Sequence, residues 1–293
     1  MTSAFFLGDA EIDPHKHFTE IHSSQVDEPI STLKDRLNQD GYLCMRGLIP
    51  RSAVLGAREQ MLSFMESRGA LDSDSTFDHP KGKAIGMMGI KEITHHQNFL
   101  GAVENPALFS FFDELFEEKS TTFDYKWARA VPPGVAGTGA HMDYVYMGQG
   151  SKRLHTTWVP MGDVPRENGP MVLLERSHAV EEMKKIRETY GRSDVDRDRT
   201  PGWFSQDYLE LSQISGTKWI IGDYQAGDVI LMGMNMMHGS LRNTSDYLRL
   251  TCDIRFQPTS DPIDERWGGA EPLGHYGRGK SISPEAARQA WGV

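Results

Sequence analysis

The chain has 293 residues and a formal net charge of −10 at pH 7, with 25% charged and 38% hydrophobic residues. That composition excludes a disordered or membrane-embedded chain, and no run approaches the roughly 20 apolar residues of a membrane span. Lys and Arg are scattered, and the densest run, residues 192–200, interleaves Arg with Asp, so a nucleic-acid partner is not expected.

Two cysteines, Cys44 and Cys252, form neither a disulfide framework nor a zinc pattern. The first residues lack a basic region and a long apolar stretch, so no signal peptide is expected. A reducing cytoplasm is the expected location, and the length suits a single barrel enzyme domain over residues 1–293.

Residues 1–120 read as largely helical. Ser31 is a plausible N-cap for a helix carrying Leu33 and Leu37, which Asp40-Gly41 ends. Residues 42–46 read as a short strand. Pro50 opens a second helix with Val54, Leu55, Met61, Leu62 and Met65 on one face. Pro106 opens a third, through Leu108, Phe111, Phe112, Leu115 and Phe116.

From residue 121 the pattern changes to short apolar segments between Gly/Pro turns, the mark of a β-barrel or sandwich. The expected strands are 123–131, 153–159, 170–174, 219–221, 228–232 and 247–257. Residues 179–215 form a polar insertion with a helix near 179–190 and a loop holding Pro201-Gly202-Trp203. Residues 261–293 form a tail, in which Asp264-Glu265-Arg266-Trp267 reads as a clamp. Asn243-Thr244-Ser245 reads as a turn.

The 247–257 segment alternates strictly. Leu248, Leu250, Cys252, Ile254 and Phe256 share one face, and Tyr247, Arg249, Thr251, Asp253, Arg255 and Gln257 share the other. On this strand alone, the default places the polar face in water. If it looks into a barrel, Arg249 is a buried cation that needs an anion, and a dicarboxylate suits a guanidinium.

His141 and Asp143 stand two residues apart in GTGAHMDYVYMG, where GTGA reads as a flexible lead-in. On an extended strand they share a face and can converge on one point. A third imidazole would complete a facial triad of two histidines and a carboxylate, which suits Fe(II) and leaves adjacent positions open. His238 ends the apolar segment 228–237, with Gly239 beside it where a cofactor could approach the backbone.

His141-x-Asp143, then His238, then Arg249 eleven residues on, resembles the Fe(II)/2-oxoglutarate dioxygenases of the phytanoyl-CoA dioxygenase type. Trp158-Val159-Pro160, Glu167-Asn168-Gly169-Pro170, Ala226-Gly227-Asp228-Val229 and Asp253-Ile254-Arg255-Phe256 agree in order. The resemblance covers about residues 30–260.

It implies a mainly β fold with flanking helices, a double-stranded β-helix (a jelly-roll, cupin-like barrel) with a metal at one mouth. It also implies roles. His141, Asp143 and His238 would bind Fe(II). Arg249 and Ser240 would hold the distal carboxylate of 2-oxoglutarate, and Trp158 would line that pocket. Thr156, on the face of Trp158, is a further co-substrate candidate. O₂ is the other co-substrate.

Tyr144, Tyr146, His95, Gln97, Trp203 and Arg255 are candidate substrate residues, Arg255 being expected to pair with Asp253. His155 and His178 are not expected as ligands, and His178 is expected to hold a turn. The implied reaction is hydroxylation of an unactivated C–H bond of a small metabolite. A metal-binding barrel without catalysis, a zinc hydrolase and an oxygenase that does not use 2-oxoglutarate are the alternatives.

Overall fold

The structure is a computed structural model and describes residues 5–277 and 281–293. Two sheets face each other as a double-stranded β-helix. The larger runs Ser23–Ser24, Tyr42–Met45, Val229–Gly233, His155–Pro160, Arg249–Pro258 and Ser120–Thr122, with Trp127–Val131 also pairing with Arg249–Pro258. The smaller runs His238–Ser240, Met171–Leu174, Trp219–Ile221 and Phe18–Glu20.

The N-terminal third is therefore not merely helical. Phe18–Glu20 extends the smaller sheet and Tyr42–Met45 pairs antiparallel with Val229–Gly233 in the larger.

The helices cover one face of the larger sheet. Arg51–Ser67 buries Val54, Ala57, Met61, Leu62 and Met65, spaced at three and four residues to make one apolar stripe. Pro106–Phe116 is capped by Asn105, whose side chain accepts from the Ala107 amide, and it buries Leu108, Phe111, Phe112 and Leu115. These side chains form one core with Leu250, Cys252, Ile254 and Phe256 of the terminal strand.

That packing decides the open question about this strand. Its apolar face is taken by the helices, so Arg249, Thr251, Asp253 and Arg255 point between the sheets. All ten residues of Arg249–Pro258 are buried, and the default reading of a solvated polar face is overturned.

Other boundaries shift for local reasons. The helix expected from Ser31 begins at Ile30 behind Pro29, with no side-chain cap, so Ser31 lies inside it. Gly41 ends that helix as expected, in the left-handed conformation at φ +82°. Of the expected strand 123–131 only Trp127–Val131 is a strand; residues 123–126 are irregular, and a separate strand, Ser120–Thr122, precedes them. The helix expected near 179–190 is three short helical turns, Glu181–Met183, Lys184–Glu188 and Tyr190–Arg192, and the insertion ends in a further helix, Tyr208–Ser215.

Candidate metal centre and co-substrate pocket

His141 and His238 form an isolated antiparallel bridge between the two chain segments that carry them. Asp143 does not continue an extended strand. Its backbone is helical (φ −64°, ψ −19°), and it opens the turn Tyr144–Met147. The three side chains thus converge through a bridge followed by a helical turn, a correction to the shared strand face read from the sequence.

The convergence is close. The Nε2 atoms of His141 and His238 lie 3.6 and 3.8 Å from Asp143 Oδ1, and the ligand atoms all fall within 4.8 Å of one another. The other ring nitrogens are spoken for: His141 Nδ1 donates to the Gly139 carbonyl at 2.8 Å and His238 Nδ1 to the Met236 carbonyl at 3.0 Å. Both imidazoles therefore present Nε2 lone pairs to one point, an arrangement that fixes tautomer and ring orientation for a metal.

Electrostatics favour the same use. Burial, joined by the neighbouring His238, pushes His141 down to about 3, so at neutral pH it is an uncharged base. Burial alone would raise Asp143. The Arg255 guanidinium, the two neighbouring imidazoles and the Thr156 hydroxyl outweigh it and hold the carboxyl well below the usual range. Asp143 Oδ2 accepts from Thr156 Oγ1 and from Arg255 Nη2, the latter at 3.1 Å.

The triad opens into a cavity of about 250 Å³ whose wall includes Ser240, Trp158, Thr156, Met171, Thr251 and Arg249. Arg249 is 5% exposed, and its Nε and Nη1 have no hydrogen-bond partner. Burial, with Arg129 nearby, lowers its pKa to about 10. An unpaired guanidinium in a buried site costs several kcal/mol, on the order of a fully desolvated ion, unless an anion joins it. The Thr251 hydroxyl in the same wall is also unpartnered. This donor set fits a carboxylate-bearing co-substrate beside a metal held by two imidazoles and one carboxylate.

Of the candidate substrate residues, Tyr146 lines the cavity, its ring edge-on to His141 at 5.6 Å between centroids. Tyr144 turns away into a second cavity, where Lys152 Nζ bonds its hydroxyl at 2.9 Å. Arg255 lines the site but pairs with Asp143, not with Asp253 as expected. Asp253 instead takes Arg129 Nε at 3.1 Å.

His95, Gln97 and Trp203 do not reach the cavity. His95 Nε2 binds Asp124 Oδ1 at 2.9 Å, Gln97 is exposed, and Trp203 packs on Gly139. His155 lies in the second cavity, and His178 bonds the Asn38 carbonyl at 3.1 Å, which ties its segment to the helix Ile30–Asp40 instead of bracing its own turn.

The glycines have tighter jobs than flexibility or cofactor approach. A Cβ on Gly239 would sit 2.0 Å from the Tyr208 hydroxyl, and one on Gly137 would sit 2.2 Å from the Ser240 carbonyl oxygen. GTGA is a packed segment, not a loose lead-in.

Sequence reasoning missed Met88, Trp127, Arg129, Trp267 and His275, all of which line the cavity. Trp127 and Arg129 alternate on one face of their strand, a signal without a motif. Trp267 arrives because the tail is clamped: the buried Arg266 binds Asp264, Asp196 and Asp194 at 2.7, 2.6 and 3.1 Å.

Fold and site together define a jelly-roll protein with a facial triad and an unpaired guanidinium in one cavity. The family model described as phytanoyl-CoA dioxygenase (PhyH) matches residues 37–251, and the chain belongs to that family.

Among its relatives is 1-deoxypentalenic acid 11-beta-hydroxylase of Streptomyces arenae, 25% identical over 235 residues, 76% of this chain and 79% of that protein. Ectoine dioxygenase of Sphingopyxis alaskensis is 24% identical over 280 residues, 90% and 88% of the two chains. The solved epimerase SnoN, in complex with Fe3+, alpha ketoglutarate and nogalamycin RO, superposes with a TM-score of 0.58 at 15% identity, covering 87% and 95%. EctD from S. alaskensis with 2-oxoglutarate and 5-hydroxyectoine gives 0.59 at 16%, covering 91% and 93%. These two likenesses bear on the fold.

Proposed function

We propose that this protein is an Fe(II)- and 2-oxoglutarate-dependent oxygenase that hydroxylates an unactivated C–H bond of a small-molecule metabolite. The observation that carries the reading is Arg249, a buried guanidinium with unpartnered nitrogens in the cavity that holds His141, Asp143 and His238. A zinc hydrolase or a metal-binding sensor gives that cation nothing to do.

When bound, Fe(II), 2-oxoglutarate and O₂ supply the chemistry: the co-substrate loses CO₂ to become succinate, and one oxygen atom passes to the substrate. The chain's own residues do the rest. His141, Asp143 and His238 would hold the metal. Arg249 and Ser240 orient the distal carboxylate of the co-substrate against the wall of Trp158.

Trp127, Trp267, Tyr146, Met88 and Met147 give the cavity apolar walls, which exclude water and pack a carbon skeleton. The Arg129–Asp253 pair offers that skeleton a polar handhold. The small cavity supports a compact metabolite as substrate. Asp143 supports hydroxylation over halide transfer, since its carboxylate fills the position a halide would need. The structural neighbours include an epimerase and a carbocyclase, so the product itself must be identified.

Two buried free cysteines suit a reducing cytoplasm, where we place the protein. No helix among the described residues is long and apolar enough to cross a membrane.

The test is a metabolite screen with Fe(II), 2-oxoglutarate and O₂, reading succinate and the mass of the product. Substrate-dependent succinate with gain of one oxygen atom is expected. Turnover that proceeds without 2-oxoglutarate, or with zinc in the absence of O₂, would overturn the reading.

A further inference from the structure

The two oxygens of Asp143 have different surroundings. Oδ1 faces the Nε2 atoms of both histidines, at 3.6 and 3.8 Å. Oδ2 points the other way and accepts two hydrogen bonds, from Thr156 Oγ1 and from Arg255 Nη2 at 3.1 Å. A carboxylate oxygen has two lone pairs, and both on Oδ2 are taken.

The two donors are cross-strand partners. Arg255 and Thr156 pair in register on neighbouring strands, both facing the interior. All three side chains are buried, Thr156 1%, Asp143 2% and Arg255 3% exposed. The Arg255 guanidinium is further held over the Trp127 ring, 4.2 Å from its centroid.

We infer that Thr156 and Arg255 are positioning residues that restrict Asp143 to a single metal-binding oxygen, Oδ1, and so keep one coordination position open for O₂. This rests on the metal-centre part of the proposed function. In an octahedral site with two histidines and a one-oxygen carboxylate, three adjacent positions stay open. A chelating co-substrate fills two. If Oδ2 swung onto the metal as well, the last position would close. A carboxylate free to rotate can make that swing; one gripped from behind by a hydroxyl and a guanidinium cannot do so without leaving both donors buried and unpaired.

The sequence placed neither residue in this role. Sequence position points to Thr156 as a co-substrate contact and to Arg255 as a substrate contact paired with Asp253.

The experiment uses Co(II) as the metal probe on the full chain, with Thr156→Val, Thr156→Ser and Arg255→Lys. Thermal unfolding of each metal-free variant checks that it folds. Thr156→Val and Arg255→Lys are expected to bind Co(II) about 10–100-fold more weakly. They should also alter its visible ligand-field spectrum in the direction of higher coordination. With Fe(II) and 2-oxoglutarate under anaerobic conditions, they should lose most binding of nitric oxide, an O₂ surrogate read by electron paramagnetic resonance. Thr156→Ser, which keeps the hydroxyl, should restore all three readouts.

Wild-type affinity, spectrum and nitric oxide binding in folded Thr156→Val and Arg255→Lys overturn the inference while leaving the metal centre standing. A wild-type protein that binds neither Co(II) nor Fe(II) overturns the metal centre and the inference with it.

Discussion

His141 and His238 are bonded to each other through their backbones in both directions, each amide donating to the other's carbonyl at 2.9 Å. Their ring centroids lie 4.2 Å apart. The two imidazoles thus come from segments nearly a hundred residues apart, yet their separation is set by one pair of hydrogen bonds.

A preformed pair of this kind should bind metal without a folding transition. Adding Fe(II) or Co(II) at a hundredfold excess over its dissociation constant should stabilise the wild type by about 2.7 kcal/mol. His238→Ala should leave the bridge in place but abolish that gain. Thermal unfolding with and without metal checks this, and an equal shift in the variant would remove His238 from the ligand set.

Arg249 is expected to trade stability for binding. Arg249→Met should cost about 2–5 kcal/mol of 2-oxoglutarate affinity, upward of roughly 30-fold. The same change removes an unpaired buried cation, so the metal-free, co-substrate-free protein should become more stable, by about 1–4 kcal/mol. Titration calorimetry and urea unfolding read the two effects. A variant that loses stability and keeps co-substrate affinity would mean that the guanidinium is structural.

His155 sits against Phe112 and Phe116, and burial pushes its pKa down to about 4. In the unfolded chain it titrates near 6.5. The folded state therefore resists protonation that the unfolded state accepts. Its contribution is fully present above pH 6.5 and is lost as pH falls toward 4. Urea unfolding between those pH values should show a slope steeper by up to about one proton in the wild type than in His155→Gln. Parallel slopes would count against the assignment.

Arg266 is the only cation bonded to the buried carboxylates of Asp194 and Asp264 among the described residues, and it shares Asp196 with His275. Arg266→Met should cost about 3–5 kcal/mol by leaving buried charge uncompensated. Because Trp267 is its neighbour in the cavity wall, the same variant should raise the KM for the organic substrate more than that for 2-oxoglutarate. Steady-state kinetics on both substrates distinguish this from general loss of folded protein.

The chemical centre was more legible in the sequence than its surroundings. His141, Asp143, His238 and Arg249 stand out because few residue types bind metals or carboxylates, and their order is carried along the chain. The facing of Arg249 was not legible: alternation separates two faces without saying which one the helices cover. Arg255 was given the wrong partner because Asp253 is near in sequence, whereas Asp143 arrives from a turn and Asp253 is claimed by Arg129 on the neighbouring strand. Trp127 and Arg129 belong to no motif, and Trp267 and His275 reach the site only after the tail folds back. The glycines of 137–139 and Gly239 looked permissive, since close packing against a distant Ser240, Trp203 or Tyr208 leaves no trace in local sequence.

The family match ends at residue 251, just past Arg249, while Trp267 and His275 come later in the chain. The metal-ligand triad with Arg249 and part of the cavity wall are thus encoded in separable stretches. They are not independent cassettes, because the tail is anchored through Arg266 to Asp194 and Asp196 of the insertion. A chimera that exchanges the tail alone would strand two buried carboxylates. Exchanging that part of the wall between relatives requires moving the insertion and the tail together, as one unit written in two places.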